Sequence, residues 1–192
     1  MAWDSVPSMR ENTPTKQRAL VVIDVQGDVM ATCVNTELTI ANIGSLVEKA
    51  RGSGVPVVWI RHNADNELVR GTPGWQIVDE LVPAEGEPIV DKRFGDSFAE
   101  TDLGDRLAEL GAHDLVICGA QTDACVRSTF YGGLYRGHSV TLVSDAHTTE
   151  DMREWGAGFT PEQSIAVLNL QARFTRLPEV AGSVISTADA FA

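Results

Sequence analysis

The chain has 192 residues, enough for one domain with a full core. Its 43% apolar and 22% charged content is that of an ordinary globular protein, and 27 acidic against 15 basic residues leave a net charge of -12. That charge argues against a nucleic-acid or anionic-membrane partner, and three cysteines without a CxxC spacing argue against a disulfide framework.

Residues 1–16 are mixed polar with two prolines. They read as a flexible arm rather than a signal peptide, followed by a single domain over 17–192. No apolar run reaches the length of a membrane span, and a reducing cytoplasm is the expected location. Ala19-Leu20-Val21-Val22-Ile23-Asp24-Val25 predicts a buried central strand. Asp24 interrupts it, and a carboxylate there is costly unless paired or hydrogen-bonded. It either ties down the next loop or serves chemistry. Gln26 follows at the same edge.

A helix is predicted from Asn35 or Thr36, with Ile40, Ile43, Val47 and Ala50 on one face and Gly52 and Gly54 ending it. Val55–Ile60 is the second strand. Arg61–Pro88 is irregular, with a turn cluster at Gly71–Trp75 and a short helix expected over Ile77–Leu81. A loop of this length suits a lid or pocket wall. Trp75 is its aromatic candidate for facing a substrate, against the alternative of anchoring the loop. Pro88–Lys92 is a third strand that delivers Lys92 to the sheet edge; alone, such a lysine is an ordinary surface residue. Thr101 is placed to cap a helix bearing Leu103, Leu107 and Leu110, with Gly111 as its stop.

Leu115–Cys118 reads as another buried strand, and Val126, Phe130 and Leu134 as the apolar face of a helix. Thr122 or Asp123 is the expected N-cap, which puts Cys125 in or just before the first helical turn. Unpaired amides and the helix dipole there favour a thiolate. Ser139–Val143 is a fifth strand leading to Asp145 and His147, which either contact substrate or tether the loop. Residues 148–160 read as a loop and Thr160-Pro161-Glu162-Gln163 as a capping box, with a helix through Ile165, Leu168 and Gln171. Phe174–Leu177 is assigned a last short strand and 184–192 a terminal helix. Cys118 is a small buried hydrophobe, and Cys33 has no evident role.

This alternation predicts a three-layer α/β/α fold, a doubly wound, mostly parallel, Rossmann-like sheet of about six strands. Asp24, Lys92 and Cys125 then lie at the carboxyl ends of different strands, where such sheets bind ligands. Together they offer a base, a cation and a nucleophile.

Three blocks carry a resemblance: Val21-Val22-Ile23-Asp24-Val25-Gln26, Asp91-Lys92-Arg93-Phe94-Gly95-Asp96-Ser97-Phe98 and Gly119-Ala120-Gln121-Thr122-Asp123-Ala124-Cys125-Val126. Over roughly residues 18–175 the chain resembles the isochorismatase-like cysteine hydrolases, the group that includes nicotinamidase. The resemblance implies Asp24, Lys92 and Cys125 as catalytic residues. It also implies a cis bond between Ala120 and Gln121, and an oxyanion hole from the Gln121 and Cys125 amides. Gln26, Trp75, Phe94 and Phe98 are the candidate substrate contacts. No cofactor is expected, the partner is a small molecule, and a dimer or higher homo-oligomer is implied.

Two departures bear on substrate. The Asp-x-His-x-x-x-His metal site of nicotinamidases is replaced by Arg61-His62-Asn63-Ala64-Asp65-Asn66, so no metal is expected from His62 and Asp65. Val29 stands where nicotinamidases carry an aromatic. The reading is therefore a cysteine hydrolase cleaving the C–N bond of a small amide, lactam or ureido compound through a thioester. The alternative is vinyl ether hydrolysis with Asp24 as general acid, which needs no thiol. A nucleotide-binding flavodoxin-like module would need a glycine-rich phosphate loop, which Val25-Gln26-Gly27-Asp28-Val29 is not. A redox-sensing thiol would need a resolving cysteine that the sequence does not place.

Overall fold

The computed structural model describes residues 17–191, so the arm predicted over 1–16 lies outside the described residues. Six strands form one sheet: β1 (Gln17–Ile23), β2 (Val57–His62), β3 (Ile89–Lys92), β4 (Ala112–Ala120), β5 (Ser139–Thr148) and β6 (Gly182–Ile185). Their order is β3-β2-β1-β4-β5-β6 and every neighbouring pair is parallel. The helices are α1 (Gly27–Ala31), α2 (Thr36–Gly52), α3 (Leu103–Glu109), α4 (Arg127–Tyr135) and α5 (Pro161–Phe174).

The strand period of two divides the core into two layers. Ala19, Val21 and Ile23 of β1 face Leu103, Leu107, Phe130, Leu134 and Leu168 of α3, α4 and α5. Leu20 and Val22 face Met30, Ile43, Leu46 and Val47 of α1 and α2. All five β1 residues named here are fully buried. With β1 at the centre, the chain winds outward to β2 on one side and to β4 on the other. A crevice opens at the carboxyl ends where the winding reverses.

Gly119 holds the two halves together at that point. Its φ is +119°, and a Cβ built on it would lie 2.0 Å from the Ile23 carbonyl oxygen. Only glycine permits both the conformation and the approach. Gly119→Ala is expected to cost about 3 kcal/mol or more, lowering the melting temperature by roughly 6–12 °C in a thermal scan.

Several boundaries differ from expectation. No helix forms over Ile77–Leu81. A 3₁₀ turn occupies Pro73–Trp75, and Ile77 makes an antiparallel bridge to Gln26, which pins the loop to the start of α1. Helix α1 itself was not anticipated; its five residues are too few for a periodic pattern. Phe174 belongs to α5 rather than to a strand, and Arg176 pairs only through an isolated bridge to Ala181. The last strand is instead β6, whose end overlaps the start of the stretch read as a terminal helix. Gly182 admits it: a Cβ there would stand 2.4 Å from the Ala172 carbonyl and 2.7 Å from the Phe130 ring. Strand β5 runs on to Thr148 because its register against β4 slips between Ile117 and Gly119, which brings His147 opposite Gly119.

Candidate active site

Asp24 follows the last residue of β1 with φ at +50°, a left-handed conformation that aspartate tolerates better than most side chains. Its amide donates to the Ile60 carbonyl at 3.0 Å, and the residue is 1% exposed. Lys92 ends β3 and is equally buried. Its Nζ lies 2.7 Å from Asp24 Oδ2, 3.0 Å from His62 Nδ1, 3.1 Å from the Phe94 carbonyl and 3.1 Å from Cys125 Sγ. Asp24, Lys92 and Cys125 thus meet.

Cys125 sits just before the first turn of α4, the second of the two expected placements. Thr122–Val126 forms a π-helical turn ahead of α4, with the Gln121 carbonyl accepting from the amides of Ala124 at 3.2 Å and Val126 at 3.1 Å. Such turns recur at functional sites because they re-aim a side chain. The preceding Ala120–Gln121 peptide bond is cis. Thr122 and Asp123, expected as N-caps, instead brace the turn from outside. Thr122 Oγ1 bonds His147 Nδ1 at 2.8 Å. Asp123 accepts from Thr149 Oγ1 at 2.7 Å and from Ser164 Oγ at 3.0 Å, tying the turn to the end of β5 and to α5. Regular caps were the wrong expectation because the turn is wider than an α-helical one and its partners come from distant elements.

Burial opposes the charge of Lys92, but the adjacent Asp24 and Cys125 outweigh it and raise its pKa. Burial, reinforced by the Asp24 charge, pushes the Cys125 thiol up to about 12 despite the pull of Lys92. That direction runs against the expectation that the amides and dipole at the helix terminus favour a thiolate. The Asp24–Lys92 approach is an ion pair off the hydrogen-bond angle, and neither Asp24 oxygen receives a hydrogen bond. A buried carboxylate with unfilled lone pairs is a ready proton acceptor. Burial and then the Lys92 charge lower the pKa of His62, which leaves its Nδ1 free to accept from Lys92.

Ligand atoms of Asp24, His62 and Cys125 lie within 4.8 Å of one another, a set capable of holding a metal ion. The position that faces all three is taken by the Lys92 ammonium, which meets the same need for positive charge.

A cavity of about 300 Å³ opens onto Asp24, His62, Gln121 and Cys125, with Asp28, Val29, Thr32, Glu67, Leu68, Ala124 and Glu150 completing its wall. This is the low end of ligand-sized pockets. A second cavity of about 460 Å³ is lined by Asn63, Arg70, Lys92, Arg93 and Phe94 among others. Phe94 borders that second cavity, not the first. Trp75 is buried, donates from its indole to Asn63 Oδ1 at 2.6 Å and lies under the Arg61 guanidinium, so it anchors the loop. Gln26 is fully buried and clamps the strand ends: its Nε2 donates to the carbonyls of His62 and Trp75, and its Oε1 accepts from the His62 amide. Phe98 packs in the core and stacks on His138. None of these four lines the Cys125 cavity. Of the residues that line it, Asp24, Gln121 and Cys125 carried a sequence signal. Glu67 and Glu150 come from loops without pattern, and His62 was considered only as a metal ligand.

His147 is a tether. Its Nε2 faces Asn169 Oδ1 at 3.2 Å, and Asn169 Nδ2 donates to the Ser144 carbonyl, which fixes the amide and makes Nε2 the protonated nitrogen. Burial pushes its pKa down from 6.5 to about 4. The folded state thus holds fewer protons than the unfolded state between those values. The stabilisation is complete above about pH 6.5 and fades as pH falls through 4, by up to about 3 kcal/mol. In urea titrations, the stability gap between the wild type and His147→Gln should accordingly narrow from pH 7 to pH 4.

The isochorismatase domain profile matches residues 18–175. The chain is 34% identical to streptothricin hydrolase of Streptomyces noursei over 157 residues, covering 79% of this chain and 62% of that protein. It is 32% identical to the secreted isochorismatase effector Isc1 of Verticillium dahliae, covering 91% and 90%. It is 27% identical to the ureidoacrylate amidohydrolase RutB of Klebsiella pneumoniae, covering 86% and 84%. The crystal structure of a putative isochorismatase hydrolase from Oleispira antarctica superposes with a TM-score of 0.84 at 28% identity, covering 93% of this chain and 98% of that one. Among the described residues no helix is long and apolar enough to cross a membrane.

Proposed function

Because the chain belongs to the isochorismatase family of hydrolases, we propose that it is a cysteine-dependent hydrolase cleaving the C–N bond of a small amide, lactam or ureido substrate. One observation carries the reading: a buried ammonium stands 2.7 Å from Asp24 and 3.1 Å from Cys125, and those two residues line a ligand-sized cavity. The amidohydrolase among its relatives supports the bond class.

In the proposed mechanism, Asp24 accepts the Cys125 proton as the sulfur attacks the carbonyl carbon. Proton transfer accompanies the attack, and Lys92 holds the developing charges together. The amides of Gln121 and Cys125 receive the oxyanion; one such donor is typically worth about 3 kcal/mol in the transition state. The C–N bond breaks, the Asp24 proton goes to the leaving nitrogen, and a thioester remains on Cys125. Water then adds with Asp24 again as base. The C–S bond breaks, the carboxylic acid leaves, and Asp24 returns the proton to sulfur. Vinyl ether hydrolysis gives no work to the thiol 3.1 Å from Lys92, so the amide reading is favoured. Ammonia release from a panel of small carboxamides is the test.

The three thiols are free, which suits a reducing cytoplasm, although one relative is described as secreted. A homo-oligomer is supported by the apolar stripe Val167, Leu170 and Phe174 left exposed on α5. Sedimentation equilibrium should give a mass of two chains or more; a monomer at micromolar concentration would remove that part of the proposal.

A further inference from the structure

The Cys125 cavity is charged in one sense. Besides Asp24 its wall holds Asp28 from α1, Glu67 from the loop after β2 and Glu150 from the residues after β5, and it holds no lysine or arginine. Three separate elements bring these carboxylates to one rim, so they are not a charge run left over from one helix face. Among the described residues none of Asp28, Glu67 and Glu150 takes part in a salt bridge. The nearest ammonium, Lys92, does not line the cavity and is paired with Asp24, and the His62 ring accepts from it. Arg70 and Arg93 border the neighbouring cavity and are paired with Asp91 and Asp65. A second feature marks the same cavity as a ligand site: the 1%-exposed Asp24 faces it, ion-paired with Lys92 at 2.7 Å but with neither oxygen in a well-aligned hydrogen bond.

We propose that this cavity selects a cationic substrate, an amide, lactam or ureido compound carrying a protonated amine or guanidinium a few bonds from the scissile carbonyl. The cation sits among Asp28, Glu67 and Glu150 at the rim while the carbonyl reaches Cys125. A cleft lined by one sign of charge concentrates counter-ions and repels like charge, more strongly than an open surface does. An anionic amide would approach three carboxylates with no cation to receive it. Because the rim is open to solvent, the discrimination is sensitive to salt. The choice of an amide rests on the hydrolase reading; the choice of a cation does not.

The test therefore has two arms. In the first, Cys125 is modified with methanethiosulfonates bearing an ammonium or a sulfonate group. Peptide mass spectrometry reads the site, and rates are normalised to a free thiol. The cationic reagent is expected to be favoured on the order of tenfold or more at low salt. The ratio should shrink in 0.5 M NaCl and collapse in the D28N/E67Q/E150Q variant. Being a ratio within one protein, it is unaffected by a smaller folded fraction. A ratio of one or below, a ratio that the triple variant keeps, or no modification of Cys125 by either reagent would overturn the proposal. In the second arm, 4-aminobutanamide, pentanamide and succinamate are compared by kcat/KM for ammonia release, with activity expected to fall in that order. Turnover in the reverse order would also overturn it. A cation-favouring first arm with no amide turned over would leave the charge selection standing and refute the amidohydrolase reading instead.

Discussion

Cys125→Ala is expected to lower the turnover of any amide substrate by on the order of 10⁴-fold or more, while the protein folds normally. In the proposed mechanism the thiol forms the covalent acyl intermediate, and residues that act as a unit lose nearly all of their effect when one is removed. The folded state loses little, because Lys92 keeps Asp24, His62 Nδ1 and the Phe94 carbonyl as partners. Ammonia release and a thermal melt on the same sample check both halves of the expectation. A variant that keeps vinyl ether cleavage while losing amide hydrolysis would show both reactions at one carboxylate. A variant that retains amide turnover would mean that the sulfur is a bystander.

Lys92→Met should have the largest effect on stability, about 3–5 kcal/mol in a urea titration, together with loss of activity. The lysine is 1% exposed and its removal strands a buried carboxylate whose oxygens have no other donor. Adding Asp24→Asn to that variant should restore much of the stability, because the uncompensated charge is gone, yet restore none of the activity. The non-additivity is the informative quantity. Stability losses that simply sum would place the two side chains in independent environments, against the 2.7 Å ion pair.

The parts of the molecule that were legible in the sequence are those written in a regular period. The apolar strands, helix α2 with its glycine stop, and the Thr160–Gln163 capping box all follow local rules, and the capping box is present in the structure with both reciprocal hydrogen bonds. Parallel connections then require the strand ends carrying Asp24, Lys92 and Cys125 to share one sheet edge. What could not be read depends on close approach between distant segments. Strand β6 begins at a glycine packed against the Ala172 carbonyl of α5 and Phe130, which no local pattern announces. The slip in β5 that delivers His147 to Thr122 is a property of pairing, not of residue type. The candidate substrate contacts were mis-sited for the same reason. Trp75 and Gln26 have side chains suited to a pocket, but each finds better partners in the backbone and side chains of the loop it fastens. The acids that do line the cavity come from segments whose pattern says only that they are exposed.

The claim on which the account stands is that sulfur becomes bonded to the acyl group. Acid quench of the enzyme during turnover of a slow amide, followed by intact-mass and peptide mass spectrometry, tests it directly. The account predicts a transient adduct equal to the acyl mass, confined to Cys125, absent in Cys125→Ala and removed as water completes the reaction. Turnover at full rate with no adduct at that cysteine, or with the adduct on Cys33 or Cys118, would contradict it.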